Sequence, residues 1–460
     1  MTQQVPGPNS GPPSRKSFRI PAFLAIGILP AAFLANPSTA GAAPLAFYVD
    51  KTMRACSDAG PGTAARPFCT LTKGVSRTTA GYTLYIGWGS FAETIKPAAS
   101  GTAAKPIRIT AWPGRTAVIG SGVTNGAVIS GRGYIILSNL RFSGTVADGI
   151  SVSNSTHITV TGNTVSGAGR PASGQIAPGI SVRGSTTNVV SYNNVHHNNG
   201  SGIVLASGTT GTTVWRNWAS YNAEGWQRHA NGINITAPGN SVLRNITHNN
   251  EDSGIQIYAG GNNVLAASNL TYNNGDHGID NLNVTGGRLI SNTVYRNCTT
   301  GINVEGTSGN YQVVNNIAVD NGVYPAYKGI SCNRRAGNIG IWDSAPSSTK
   351  VNHNLVWLTK SGVMYAFGTS YTSLAAMQAA KGRDKEANGV QADPRFASAA
   401  GWNLRLRAGS PAIDRGNSAV SGAQSSDLVG NGRVDIVSVS NAYAAGPRRY
   451  DDLGAFEFRP

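Results

Sequence analysis

Between about residue 126 and residue 365 the chain alternates short apolar pairs with polar turn residues, and the pattern comes back about every two dozen residues. A Gly-Ile pair opens a short apolar strand at Gly149, Gly179, Gly202, Gly232, Gly254, Gly278, Gly301 and Gly329. An asparagine keeps pace with it, at Asn163, Asn194, Asn217, Asn245, Asn269, Asn292, Asn316 and Asn354, where one strand ends and the next begins. A fixed period of this size is the mark of a solenoid, in which each repeat cannot bury its apolar face alone and stacks on its neighbours. Isoleucines stacked inward give a continuous core, with turns about 4.8 Å apart. Asparagines stacked at an inward bend can bond to one another and to the turn backbone. A β-propeller needs about 40 residues per blade, so this period predicts an all-β right-handed parallel β-helix of about 22–30-residue coils.

The repeats divide the chain. Residues 1–42 read as an export signal: Arg15, Lys16 and Arg19 precede the apolar stretch from Pro21 to Ala35, and Ala40-Gly41-Ala42 offers a small-residue cleavage site. Residues 43–125 read as an N-terminal cap and first coils, 126–365 as the β-helix, and 366–460 as a C-terminal capping segment with one helix from Ser373 to Gly382. A secreted chain, extracellular or periplasmic, is expected, with no membrane attachment after signal removal and no partner subunit. Cysteine usage fits export. Cys56 and Cys69 bracket a Gly/Pro-rich loop and predict a disulfide; Cys298 and Cys332 fall on neighbouring repeats, where they can pair or stay as two buried thiols.

Composition narrows the partner. The formal net charge is +16, yet no Lys/Arg-rich run with interleaved aromatics occurs, which excludes nucleic acid as the expected partner and leaves an acidic polysaccharide. Acidic residues are scarce: between Gly131 and Lys328 there are eight, of which Glu251, Asp252, Asp276 and Asp280 fall on two adjacent coils. Alternation along a strand points the second residue after each glycine outward, giving a ladder of Ser151, Ser181, Val204, Asn234, Gln256, Asp280, Asn303 and Ser331. Crowded carboxylates with Asn and Gln oxygens beside them suit Ca²⁺. Arg228 and Arg288 can neutralise a substrate carboxylate, and Glu305 with Asn234, Gln256 and Asn303 completes a substrate-binding surface.

These features resemble family 9 polysaccharide lyases. The segment from Phe47 to Gly120, with its Pro-Phe-Cys-Thr-Leu stretch at residues 67–71, is similar to the family's N-terminal region, where that stretch forms a short helix. Asp276-His277-Gly278-Ile279-Asp280 is similar to the family's Ca²⁺-binding coil. The resemblance implies β-elimination of a polyuronate with Ca²⁺ held by Glu251, Asp252, Asp276 and Asp280. His277 replaces one family carboxylate, and Asn303 stands where the family has its catalytic lysine. Lys328 is therefore the expected base, if its loop folds back, with His277 as the alternative. A glycoside hydrolase, a uronate epimerase, or a non-catalytic glycan-binding protein on the same fold are the competing readings.

Overall fold

The computed structural model describes residues 45–169, 177–223, 225, 228–441 and 446–460; the expected export signal at 1–42 lies outside them. The described chain coils into three long sheets of twelve, twelve and eleven strands. Each coil contributes one strand to each sheet. In the middle of the molecule, Ile255–Ile257, Ile279–Leu282 and Thr300–Glu305 are successive parallel strands of the third sheet, with Gln256 opposite Asp280 and Asp280 opposite Asn303. The Gly-Ile signature marks this sheet: Ile150, Ile180, Ile203, Ile233, Ile255, Ile279 and Ile302 are all fully buried and stack along the axis.

Most strands are only three or four residues long because two-residue bends separate the first sheet from the second. In each bend a residue in the left-handed region (Arg216, Arg244, Ser268 and Ser291 have φ of 53–55°) is followed by an inward asparagine. A positive φ costs an ordinary residue about 1–2 kcal/mol, and the asparagine offsets this by satisfying the bend's polar groups. Asn163, Asn193, Asn217, Asn245, Asn269, Asn292, Asn316 and Asn354 form a ladder in which each Nδ2 donates to the next Oδ1 at 2.9–3.1 Å. Glu386, fully buried, ends it by accepting from Asn354 Nδ2 at 3.0 Å. The rung in the second of these coils is Asn193, not Asn194, because the inward position directly follows the left-handed residue Tyr192. A second ladder lies at the bend from the second sheet to the third: Asn198, Asn222, Asn250, Asn274, Asn297, Asn321 and Asn338 are joined at 2.9–3.1 Å.

One expected repeat does not exist. Gly329 opens no coil: after Ile317–Val319 the chain leaves the helix and forms an antiparallel hairpin, Ala326–Tyr327 with Ile330–Ser331. It returns at Gly337–Ile341, which pairs with Thr300–Glu305, so Gly340 rather than Ser331 stands next to Asn303. Both disulfides form, Cys56–Cys69 and Cys298–Cys332, the second tying this excursion to the coil beneath it.

The ends are capped. A short helix, Leu71–Arg77, is N-capped by Thr70, and Leu374–Lys381 is capped by Ser373 and stopped at Gly382. The C-terminal segment lays Phe396, Leu404, Ile413, Leu428, Leu453 and Phe456 against the outer face of the second sheet, over Leu270, Tyr272, Tyr295, Ile317 and Leu355. The third sheet's outer face is thereby left to other cover. Among the described residues no helix is long and apolar enough to cross a membrane.

Candidate functional site

On the third sheet's outer face Asn234, Gln256, Asp280 and Asn303 stand on consecutive strands. They point outward, yet Gln256, Asp280 and Asn303 are buried. The cover is the excursion of residues 322–336. Tyr327 anchors it by accepting hydrogen bonds from Asn249 Nδ2 (2.8 Å) and Asn273 Nδ2 (3.1 Å). Arg228 Nη2 donates to Ser331 O at 2.5 Å, and the Cys298–Cys332 bridge fixes the far end. The residues that follow, Arg334 and Arg335, are thus set over the acids.

Four carboxylates gather beneath. Asp276 accepts from Thr299 Oγ1 at 2.6 Å, is ion-paired with Arg334, and lies 3.8 Å from Arg228 Nε. Burial works to raise its pKa, but His277, Arg334, the Thr299 bond and Arg228 outweigh burial and hold it below the usual carboxylate value. Asp280 accepts from Tyr258 OH at 2.9 Å on one oxygen and from Asn303 Nδ2 at 2.8 Å on the other. Asp252 is pushed the opposite way from Asp276: burial first, then repulsion from Asp276 and Asp280, raise its pKa well above the ordinary value. Glu305, paired with Arg335 Nε at 2.7 Å, is also raised, by burial and by Asp280. His277 lies between Asp276 and Asp280, its Nε2 being 3.8 and 3.9 Å from their oxygens. Its Nδ1 accepts from Thr300 N–H at 3.1 Å and faces Thr299 Oγ1 at 2.7 Å.

The fold brings together most of the residues singled out from the sequence, with two corrections. Arg288 begins the strand Arg288–Ile290 of the first sheet and donates to Ser421; one bend further along the coil than the acids, it faces another side of the molecule. Glu251, although adjacent to Asp252, accepts from the backbone N–H of His229 at 3.0 Å and so braces the stretch leading from Arg228. Lys328 sits at the tip of the hairpin with φ of 50°, between the anchored Tyr327 and the strand that carries Ser331. Tyr258, Thr299, Arg334 and Arg335 escaped the sequence reading. The one signal for the arginines was their position two and three residues after Cys332, whose partner Cys298 precedes Thr299.

Ca²⁺ asks for six to eight oxygen ligands, and the four acids expected to supply them do not form such a cage. Glu251 is turned to His229, Asp276 is occupied by two guanidinium groups, and an imidazole stands where an oxygen ligand is needed. The donor atoms that do converge belong to His277, Asp280 and Glu305, which lie within 4.8 Å of one another. This set does not fit Ca²⁺.

Fold and site together define a class: parallel β-helix proteins with a charged cluster roofed on one outer face. The chain belongs to the Pel9A-like right-handed β-helix family, whose model matches residues 48–361. Among solved structures, that of pectate lyase Pel9A is 18% identical, with a TM-score of 0.55 over 90% of this chain and 96% of that one. A rhamnogalacturonan lyase is 16% identical, with a TM-score of 0.49 over 77% and 91% of the two chains. XylC in complex with xylose is 12% identical, with a TM-score of 0.49 over 70% and 86%. At these identities the likeness is one of fold. No curated protein matches the chain significantly.

Proposed function

We propose that this chain is an extracellular enzyme that cleaves an acidic polysaccharide, a polyuronate, by β-elimination. The observation that carries the reading is the meeting of Arg228 and Arg334 at Asp276, with both arginine side chains partly exposed, 22% and 49%, above buried acids. A uronate carboxylate laid across them is paired and neutralised, which acidifies the neighbouring C–H. Lys328, on the hairpin whose far strand Arg228 holds, takes that proton. The C–H electrons form the C=C bond as the glycosidic C–O bond breaks, and the departing oxygen is protonated by solvent. Asp276 keeps Arg334 in place, and Tyr258 and Asn303 fix Asp280 beneath.

Incubation with pectate, alginate or glucuronan tests this: the unsaturated product absorbs near ~230 nm, as its conjugation requires. No rise with any of these polymers overturns the reading. One observation favours a second. Asp252 is held up and Asp276 down in pKa, and two carboxyl groups driven apart in this way are how hydrolases divide the acid and base roles. New reducing ends without unsaturation select that chemistry.

A further inference from the structure

We propose that His277, Asp280 and Glu305 bind a divalent transition-metal ion of the Zn²⁺ class. The inference concerns a ligand of the site and does not require the elimination chemistry. One donor atom from each residue lies within 4.8 Å of the other two, and all three residues are buried. A second observation concerns the same cluster: His277 Nε2, set 3.8 and 3.9 Å from the oxygens of Asp276 and Asp280, and Asn303 Oδ1 on the neighbouring strand, both on fully buried side chains, have no hydrogen-bond partner among the described residues. Buried polar atoms are ordinarily paired, and an orphaned one asks for a water or an ion.

Charge agrees. Asp276 is paired with Arg228 and Arg334 and Glu305 with Arg335, while Asp280 is held by the neutral groups of Tyr258 and Asn303, which leaves its carboxylate for a cation. One imidazole and two carboxylates suit Zn²⁺, with Mn²⁺ bound less tightly and Ca²⁺ poorly served. The 3.9 Å from His277 Nε2 to Asp280 Oδ1 closes by roughly half an ångström when both reach bonds of about 2.0–2.2 Å.

The surroundings hold the ligands. Tyr258 and Asn303 grip Asp280, and Arg335 grips Glu305. Ligation at Nε2 requires the imidazole proton on Nδ1. Thr299 Oγ1, 2.7 Å away, accepts it there and passes its own hydrogen to Asp276 at 2.6 Å, the outer-shell chain that orients a metal-bound histidine. The Thr300 N–H contact at 3.1 Å is given up in exchange, and metal uptake therefore rearranges protons within the site.

The test is calorimetric titration of the chelator-stripped protein with ZnCl₂, MnCl₂ and CaCl₂, with metal analysis after dialysis. One equivalent of Zn²⁺ is expected at micromolar affinity or tighter, Mn²⁺ weaker, and Ca²⁺ without measurable heat in that range. His277→Ala abolishes the Zn²⁺ event with circular dichroism unchanged, and Thr299→Val weakens it about tenfold or more. Absence of Zn²⁺ binding, or Zn²⁺ binding that survives His277→Ala, overturns the proposal, as does Ca²⁺ bound as tightly as Zn²⁺. Because no polymer enters the experiment, its failure is separate from a failure of the lyase reading.

Discussion

The same coils present two outer faces that are covered in opposite ways. On the second sheet Tyr272, Tyr295 and Ile317 lie under Phe396, Leu453 and Phe456 of the C-terminal segment, an apolar contact. On the third sheet, Asp276, Asp280 and Glu305 lie under Arg334 and Arg335 of the excursion after Val319. Burying apolar side chains is worth about 25 cal/mol per Å². Burying charges costs desolvation that their pairing only partly returns. A chain that already has a continuous interior core and two asparagine ladders gains no evident stability from the charged face. The difference marks the apolar cover as a structural one, and the proposed function rests on the charged cover.

Four experiments break or sharpen that contrast. The largest effect belongs to the apolar face: Tyr295→Ala, by analogy with other large-to-small core changes, lowers unfolding stability by about 3–5 kcal/mol, read from urea denaturation, while turnover per folded molecule stays as in the parent. If turnover collapses with stability intact, the second sheet's face is part of the site. Next, Arg334→Ala removes the exposed guanidinium above Asp276 and lowers kcat/KM on the active polymer by on the order of 10²–10³, with a thermal midpoint within a few degrees of the parent. A large loss of stability with little loss of activity would reverse the assignment of the two faces. Third, Cys332→Ser frees the excursion from Cys298, at sequence separation 34. The loss of stability is about 3–4 kcal/mol by loop-closure reasoning, and a fall in activity accompanies it because the two arginines are no longer held. The smallest effect is in pH. Asp252 is raised in the folded state by burial and by Asp276 and Asp280, so its favourable contribution is complete below its ordinary pKa and is lost as pH rises through the elevated folded value. The urea midpoint falls over that interval, and Asp252→Asn flattens the fall; an unchanged slope would separate Asp252 from the cluster.

Much of this was legible along the chain because it repeats. Ile255, Ile279 and Ile302 announce a buried column by spacing alone, and Asn269 and Asn292 announce the bend beside it. Asp252, Asp276 and Asp280 stacked for the same reason: a coil of constant length converts sequence separation into height. The reading failed where constancy failed. At Gly329 a Gly-Ile pair belongs to a hairpin rather than a coil, so Ser331 was set in a ladder whose true rung is Gly340. Arg288 was misjudged because a charged residue near a coil gives no sign of which of three sheets it faces. The second asparagine ladder was hidden because its members sit in runs such as Asn249-Asn250 and Asn273-Asn274, where only the backbone conformation tells inward from outward.

By itself, then, the sequence determined the solenoid, its inward columns, the helix that starts at Ser373, and the gathering of acids on neighbouring coils, since each follows from local periodicity or local helix signals. The tertiary structure decided what covers those acids. Arg334 lies 58 residues from its partner Asp276 in the chain, and Arg335 lies 30 from its partner Glu305. Their place depends on a disulfide and on Tyr327 reaching two asparagines of lower coils. An excursion has no period, and long-range contacts of single side chains leave no trace in a pattern of hydrophobic and polar positions. That is why the fold could be read in advance, while the chemistry of its charged face had to be seen.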